Sequence, residues 1–213
     1  MLLAVTVADL GCKRQVTPTD LAAEPIRLDI ATLLQRITSG DLRAFAELVN
    51  RYQRPLFAFL GRMGLEAARA EEVAQETFLR AWQHLPRYRT EQAQFSTWLF
   101  TIARRLALNE LARSRNRHEV AADDDAPEPA CAAARPEQAL DQRRLQARID
   151  AAFRSLGTDD RSVLALAYTH DLGMAEIAVI EGCSVDAVKT RLHRARQRLR
   201  IALDISPEHG HEI

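Results

Sequence analysis

Cysteine is scarce in this chain and carries no pattern. Of 213 residues only Cys12, Cys131 and Cys183 are cysteines, an odd set without a Cys-x-x-Cys pair. That argues against a disulfide framework and suits a reducing, cytoplasmic setting. No apolar run approaches the ~18 residues needed to cross a bilayer, so membrane insertion is not expected. The apolar start, residues 1–5, is too short for a signal sequence and lacks a basic flank. Strand-like alternation of apolar and polar residues is missing throughout. Glu-x-x-His occurs once, at Glu208–His211 in the tail rather than on an expected helix, and a glycine-rich phosphate loop and a nucleophile–base pair are missing, so no catalytic residue, metal or cofactor is expected and the chain does not read as an enzyme. Even a net charge is absent: 29 Lys and Arg balance 29 Asp and Glu.

The balance conceals segregation. Residues 119–141 hold seven acids (Glu119, Asp123, Asp124, Asp125, Glu128, Glu137, Asp141) against one base, Arg135. Residues 184–200 hold six bases (Lys189, Arg191, Arg194, Arg196, Arg198, Arg200) against one acid, Asp186. An acidic middle and a basic end point to a polyanion at the C-terminal side.

Helical periodicity fills the rest. Phe45, Leu48, Val49, Tyr52, Leu56, Phe57 and Leu60 recur at three- and four-residue spacing, which predicts a helix over 42–63 with a kink at Pro55. A second helix is expected over 67–85, stopped by Pro86, and a third from 96 to about 113 after a loop over 87–94. Residues 116–136, rich in Ala, Asp, Glu and Pro, read as a disordered tether. Periodicity resumes near Ala139. The expected fold is all-α: an extension over 1–27, a helical domain over 30–115, a flexible acidic linker over 116–138, a second helical domain over 139–204 and a tail over 205–213.

The second domain ends in a helix-turn-helix pattern. Asp159 or Asp160 can cap a helix bearing Val163, Leu164 and Ala167, and residues 174–180 make the next. Gly182 stands where a helix terminus favours a left-handed residue, and Ser184 is an N-cap for a long final helix. In that helix Val185, Val188, Leu192, Ala195 and Leu199 form an apolar stripe. Asp186, Lys189, Thr190, His193, Arg194 and Arg196 face away from it. Long cations suit phosphates and the acceptors of guanine in a major groove. The bland alternative is a solvated basic face.

In the first domain Glu72 and Glu76 share a helix face. With no histidine in the segment, an acidic docking surface is a better reading than a metal site. The run Phe95-Ser96-Thr97-Trp98-Leu99-Phe100, followed by Arg104, Arg105, Arg113, Arg115 and Arg117, interleaves aromatics with cations, as unpaired bases require. The same aromatics read equally as core.

These segments resemble a known family. Residues 70–82 with Phe95-Ser96-Thr97-Trp98-Leu99 and Ile102-Ala103-Arg104 are similar to region 2 of bacterial sigma factors. Glu176-Ile177-Ala178, Gly182-Cys183-Ser184-Val185 and the run 188–196 resemble region 4. Two such domains on a short tether resemble the extracytoplasmic-function (ECF) group of the sigma-70 family. The resemblance implies a subunit that binds core RNA polymerase and directs it to promoters. Glu72, Gln75, Glu76, Phe78, Arg80 and Trp82 would dock on the clamp of the largest subunit. Arg89, Phe95, Trp98, Arg104, Arg105 and Asn109 would engage the −10 element. Ser184, Lys189, Thr190, His193, Arg194 and Arg196 would read the −35 element. An anti-sigma factor is an implied partner, and Asp123–Asp125 would either mimic nucleic-acid charge in the polymerase or serve as an inert tether. Gly173 replaces a common capping Ser or Thr, Glu181 a usual Leu, and Arg105 a frequent Asn.

Two other classes compete. A stand-alone repressor using the same motif needs symmetric dimers, and no dimerisation helix is evident. A metal sensor built on His209, His211 and the cysteines rests on a short tail alone.

Overall fold

The computed structural model describes residues 29–89, 93–120, 138–169 and 172–203, apart from the side chains of 118–120 and 138–146. Eight α-helices and a short 3-10 turn account for nearly all of it. The extension 1–28, the expected tether from 121 to 137 and the tail from 204 onward lie outside the described residues.

The first bundle opens with α1 (Ile30–Thr38), a helix the sequence reading did not identify. The Asp29 carboxylate accepts the Thr32 amide at 2.8 Å, supplying a partner to one of the donors a helix start leaves over. Ser39 and Gly40 (φ +92°) then reverse the chain. Asp41 caps α2 (Leu42–Met63), whose bounds coincide with the expected ones. Pro55 cannot donate to the Arg51 carbonyl, yet α2 runs through it as one helix. Gly64 closes it in the left-handed region (φ +96°). Helix α3 (Ala67–His84) passes into a 3-10 turn, Leu85–Arg87. Helix α4 (Phe95–Val120) runs well beyond the expected end near Arg113, because nothing in Ser114–Val120 breaks a helix and Glu110 ties back to Arg117 at 2.8 Å.

The second group comprises α5 (Gln138–Ser155), α6 (Thr158–Ala167), α7 (Met174–Glu181) and α8 (Val185–Ala202). Gly157 occupies the N-cap of α6, so Asp159 and Asp160 sit in its first turn rather than capping it. There they suit the positive end of the helix dipole. Asp160 is almost buried and pairs with Arg198, fastening α6 to α8.

Leu48, Leu56, Phe59, Leu60, Leu99 and Phe100 fill the first bundle, with Phe59 and Phe100 edge-to-face at 5.5 Å. Val163, Leu164, Leu166, Ile177, Val188 and Leu192 fill the second. Buried residues of both belong to one apolar cluster, because α6 packs on α2 and α7 on α4. Each fully buried large side chain contributes about 1.5–3 kcal/mol, so this shared seam is a substantial part of what holds the fold.

Candidate nucleic-acid interface

The helix-turn-helix forms as its residues dictate. Helix α7 ends at Gly182, whose φ of +69° lets its amide reach back to the Val179 carbonyl at 3.2 Å. Two residues later Ser184 caps α8, its Oγ accepting the Ala187 amide at 3.2 Å. Val188, Leu192 and Ala195 are buried, and Val185 and Leu199 half-buried, so the expected stripe anchors α8. The opposite face is open. Ser184, Lys189, Thr190, His193, Arg194 and Arg196 are all exposed. Near neighbours order part of it: Thr190 Oγ1 donates to the Asp186 carbonyl at 2.9 Å, Lys189 Nζ lies 3.4 Å from Asp186, and His193 contacts Gln197 at 3.0 Å.

Not every base of the C-terminal run is available. Arg191 Nη1 is 3.1 Å from Glu181, and Arg198 is held by Asp160. The cations not held by a buried carboxylate are therefore Lys189, which meets only the exposed Asp186, and Arg194, Arg196 and Arg200.

The aromatic–cationic segment of α4 divides. Phe95 is buried, ringed by Tyr52 at 5.4 Å, Trp98 at 5.7 Å and Tyr88 at 5.8 Å. Phe100 is fully buried. In this arrangement neither can stack on a base, which corrects the reading of Phe95 as a direct contact. Trp98 is half-buried, tilted against Tyr88 at 5.0 Å, and keeps an accessible edge. Arg89, Arg105 and Asn109 are exposed, whereas Arg104 turns inward against the second helical group.

On α3, Glu72, Glu76 and Arg80 present polar ends to solvent, and Gln75 and Trp82 are half-buried. Arg69 pairs with Glu72 and Arg80 with Glu76, each at 2.6 Å, and the Glu72 carboxylate holds the Arg69 guanidinium above its ordinary pKa. Phe78 belongs to the core, not to this surface. Leu79, overlooked in the sequence, is the exposed apolar residue between them (38% exposed). Its signal was present: residues 72, 76, 79 and 80 fall on one face at helical spacing. Gly173 caps α7 without a side-chain hydrogen bond, as the missing Ser or Thr implies. Among the described residues no group of His, Cys, Asp and Glu could hold a metal; Cys12, Cys131, His209 and His211 lie outside them.

Comparison with known proteins follows this division. Residues 48–117 match Sigma-70 region 2, and residues 146–199 match Sigma-70, region 4. The RNA polymerase sigma-H factor of Pseudomonas aeruginosa is 33% identical over 178 residues, covering 80% of this chain and 92% of that one. The ECF RNA polymerase sigma factor SigL of Mycobacterium tuberculosis is 33% identical over 156 residues, covering 73% and 86%. Among solved structures, CnrH in complex with the cytosolic domain of CnrY superposes with a TM-score of 0.59 at 26% identity, covering 81% of this chain and 96% of that one. The sigma factor RpoE of Bartonella quintana, in complex with the anti-sigma factor NepR, gives 0.58 at 25% identity, covering 78% and 99%. With region 2 ahead of region 4 and relatives matched over most of their length, the chain belongs to the sigma-70 family, as an ECF-type RNA polymerase sigma factor of promoter-specific transcription initiation.

Proposed function

We propose that the protein binds core RNA polymerase through α3, reads the −35 element with α8 and engages the −10 element with α4 and the loop before it. The observation that carries this is on α8: all six candidate −35 residues are exposed on one side, and the other side is buried in the domain core. A rigid helix with one polar, cationic face is what the major groove admits. Trp98, Arg89, Arg105 and Asn109 form the −10 surface, with Phe95 supporting it from within. Glu72, Glu76, Arg80 and Leu79, flanked by Gln75 and Trp82, form the polymerase-docking face, and Phe78 fixes that helix from below. The work is done by binding energy; no bond is made or broken, and the setting is the cytoplasm where polymerase acts. No described helix is long and apolar enough to cross a membrane. By analogy with the RpoE–NepR pair, an anti-sigma factor is a partner. The two halves are the domains expected over 30–115 and 139–204, with α4 extending the first to Val120 and α5 opening the second at Gln138.

Run-off transcription with core polymerase on a −35-dependent promoter, selected from a library, tests the assignment. Lys189→Ala or Arg194→Ala is expected to weaken promoter binding by about 1–3 kcal/mol if the lost contact is to a base. Unchanged footprints and unchanged transcription would remove these residues from the interface.

A further inference from the structure

A hydroxyl that the fold leaves unused lies at the start of α4. Ser96 is only 3% exposed, yet its Oγ makes no hydrogen bond among the described residues. A buried hydroxyl without a partner is costly. Ser96 also sits in the first turn of a 26-residue helix. The first bond of that helix runs from the Trp98 amide to the Gln94 carbonyl at 3.1 Å, so the amides of Phe95, Ser96 and Thr97 have no intrahelical acceptor.

Two cavities meet at this turn. One, of about 640 Å³, is lined by Arg54, Pro55 and Arg62 of α2 and by Tyr168 and Thr169 at the end of α6. The other, of about 800 Å³, is lined by Leu34, Tyr88, Gln94, Leu172 and Glu176. Ser96, Arg51 and Tyr52 line both, so the two form one groove with the hydroxyl at its middle.

The ends of the groove differ in chemistry. No carboxylate is among the described residues of the α2 end. Its Arg54 and Arg62 are exposed and have no ion pair among the described residues. Exposed arginines elsewhere are paired: Arg36, Arg69, Arg80 and Arg117 each meet a carboxylate at 2.6–2.8 Å. Arg54 and Arg62 lie eight residues apart, about 12 Å along the helix axis. The other end is mostly apolar and aromatic, with Gln94 and Glu176 supplying acceptors. Helix N-terminal amides, a hydroxyl and guanidinium groups together favour phosphate. Apolar walls with a few placed acceptors suit a base that carries amino groups.

We propose that this groove binds a nucleotide. Its phosphates meet the α4 N-terminus, the Ser96 hydroxyl, Arg54 and Arg62, and its base lies between Tyr88 and Leu172 with N–H groups toward Gln94 or Glu176. A free nucleotide fits better than a strand, because the next phosphate of a strand would face the Glu176 carboxylate. Ser96, Arg54 and Arg62 belong to none of the promoter-reading or polymerase-docking surfaces proposed above.

Fluorescence titration of the full chain with ATP or GTP carrying an N-methylanthraniloyl group on the ribose tests the site. Saturable binding is expected. Ser96→Ala, Arg54→Ala and Arg62→Ala are each expected to weaken it about tenfold with helical circular dichroism unchanged. Arg117→Ala, which removes an arginine outside the groove, is expected to leave it as in wild type. Unlabelled nucleotide is expected to displace the probe at about one-tenth the concentration of inorganic tripolyphosphate, because only the nucleotide has a base to bury. Absence of saturable binding, or equal affinity in wild type and all three groove variants, would overturn the site. Tripolyphosphate as effective as nucleotide would overturn the base-binding end, and with it the ligand class. Stronger displacement by a single-stranded oligonucleotide than by nucleotide, lost in Ser96→Ala, would overturn the free nucleotide in favour of a strand.

Discussion

Asp41 shows how much one side chain can settle. Its Oδ1 accepts the amides of Arg43 and Ala44 at 2.9 and 3.3 Å, capping α2, while Oδ2 takes both Nε and Nη2 of Arg36 at 2.9 and 2.7 Å. These bonds, the Arg36 contact foremost, hold its carboxyl below the usual aspartate range. Asp29 is lowered in the same direction by Thr32. A carboxyl depressed in the folded state stabilises it above the unfolded value, about 3.9, and that contribution disappears as pH falls through the lower folded value. The urea midpoint is therefore expected to decline on acidification from pH 5 to pH 3. Asp41→Asn keeps a competent cap but loses the ionic partner, and its midpoint should change less over that interval. Asp41→Ala loses the cap too and should cost about 1 kcal/mol. An Asp41→Asn chain with the same acid profile as wild type would disprove the attribution.

Among the elements, α2 and α4 differ instructively. The register of α2 was legible because its apolar residues recur at helical spacing; its Asp41 cap and Gly64 stop came only with the structure. Helix α1 was not, since nine residues give too few repeats to stand apart from their neighbour. The end of α4 was missed because the composition changes near Ser114 before the helix stops. Phe78 and Phe95 were assigned to surfaces because a motif marks positions without marking burial; only the packed rings of Tyr52, Tyr88 and Trp98 show that Phe95 points inward. The two capping glycines sharpen the point. Gly64 and Gly182 both have positive φ, and the sequence singled out only Gly182. A Cβ at Gly182 meets nothing within 4 Å, so Gly182→Ala should cost only the left-handed penalty, about 1–2 kcal/mol. Gly64→Ala adds a clash with Arg161 across the seam and should cost measurably more. Thermal unfolding of both variants decides this; equal losses would mean that Arg161 simply swings aside.

For the whole molecule, the two halves were legible separately, but their contact was not. Arg104 and Glu181 lie 77 residues apart, and no local pattern announces such a pair. Glu181 was noticeable only as a charge where family members usually place leucine; the seam gives that charge a partner. Pairs inside the second helical group also limit how many cations the chain offers to DNA. Arg191 is held by Glu181 and Arg198 by Asp160, leaving Lys189, Arg194, Arg196 and Arg200 on α8. Each phosphate neutralised on duplex DNA contributes about −0.9 to the slope of log K against log salt, so four contacts set a slope of about −3.6 for the free chain on a −35 duplex. Freeing Arg191 by Glu181→Gln should steepen it toward about −4.5, by the same rule. A slope of about −3.6 in both chains would mean that Arg191 never reaches phosphate even when released. A wild-type slope already near −5.4, the value for all six bases, would mean that DNA alone dismantles both internal pairs.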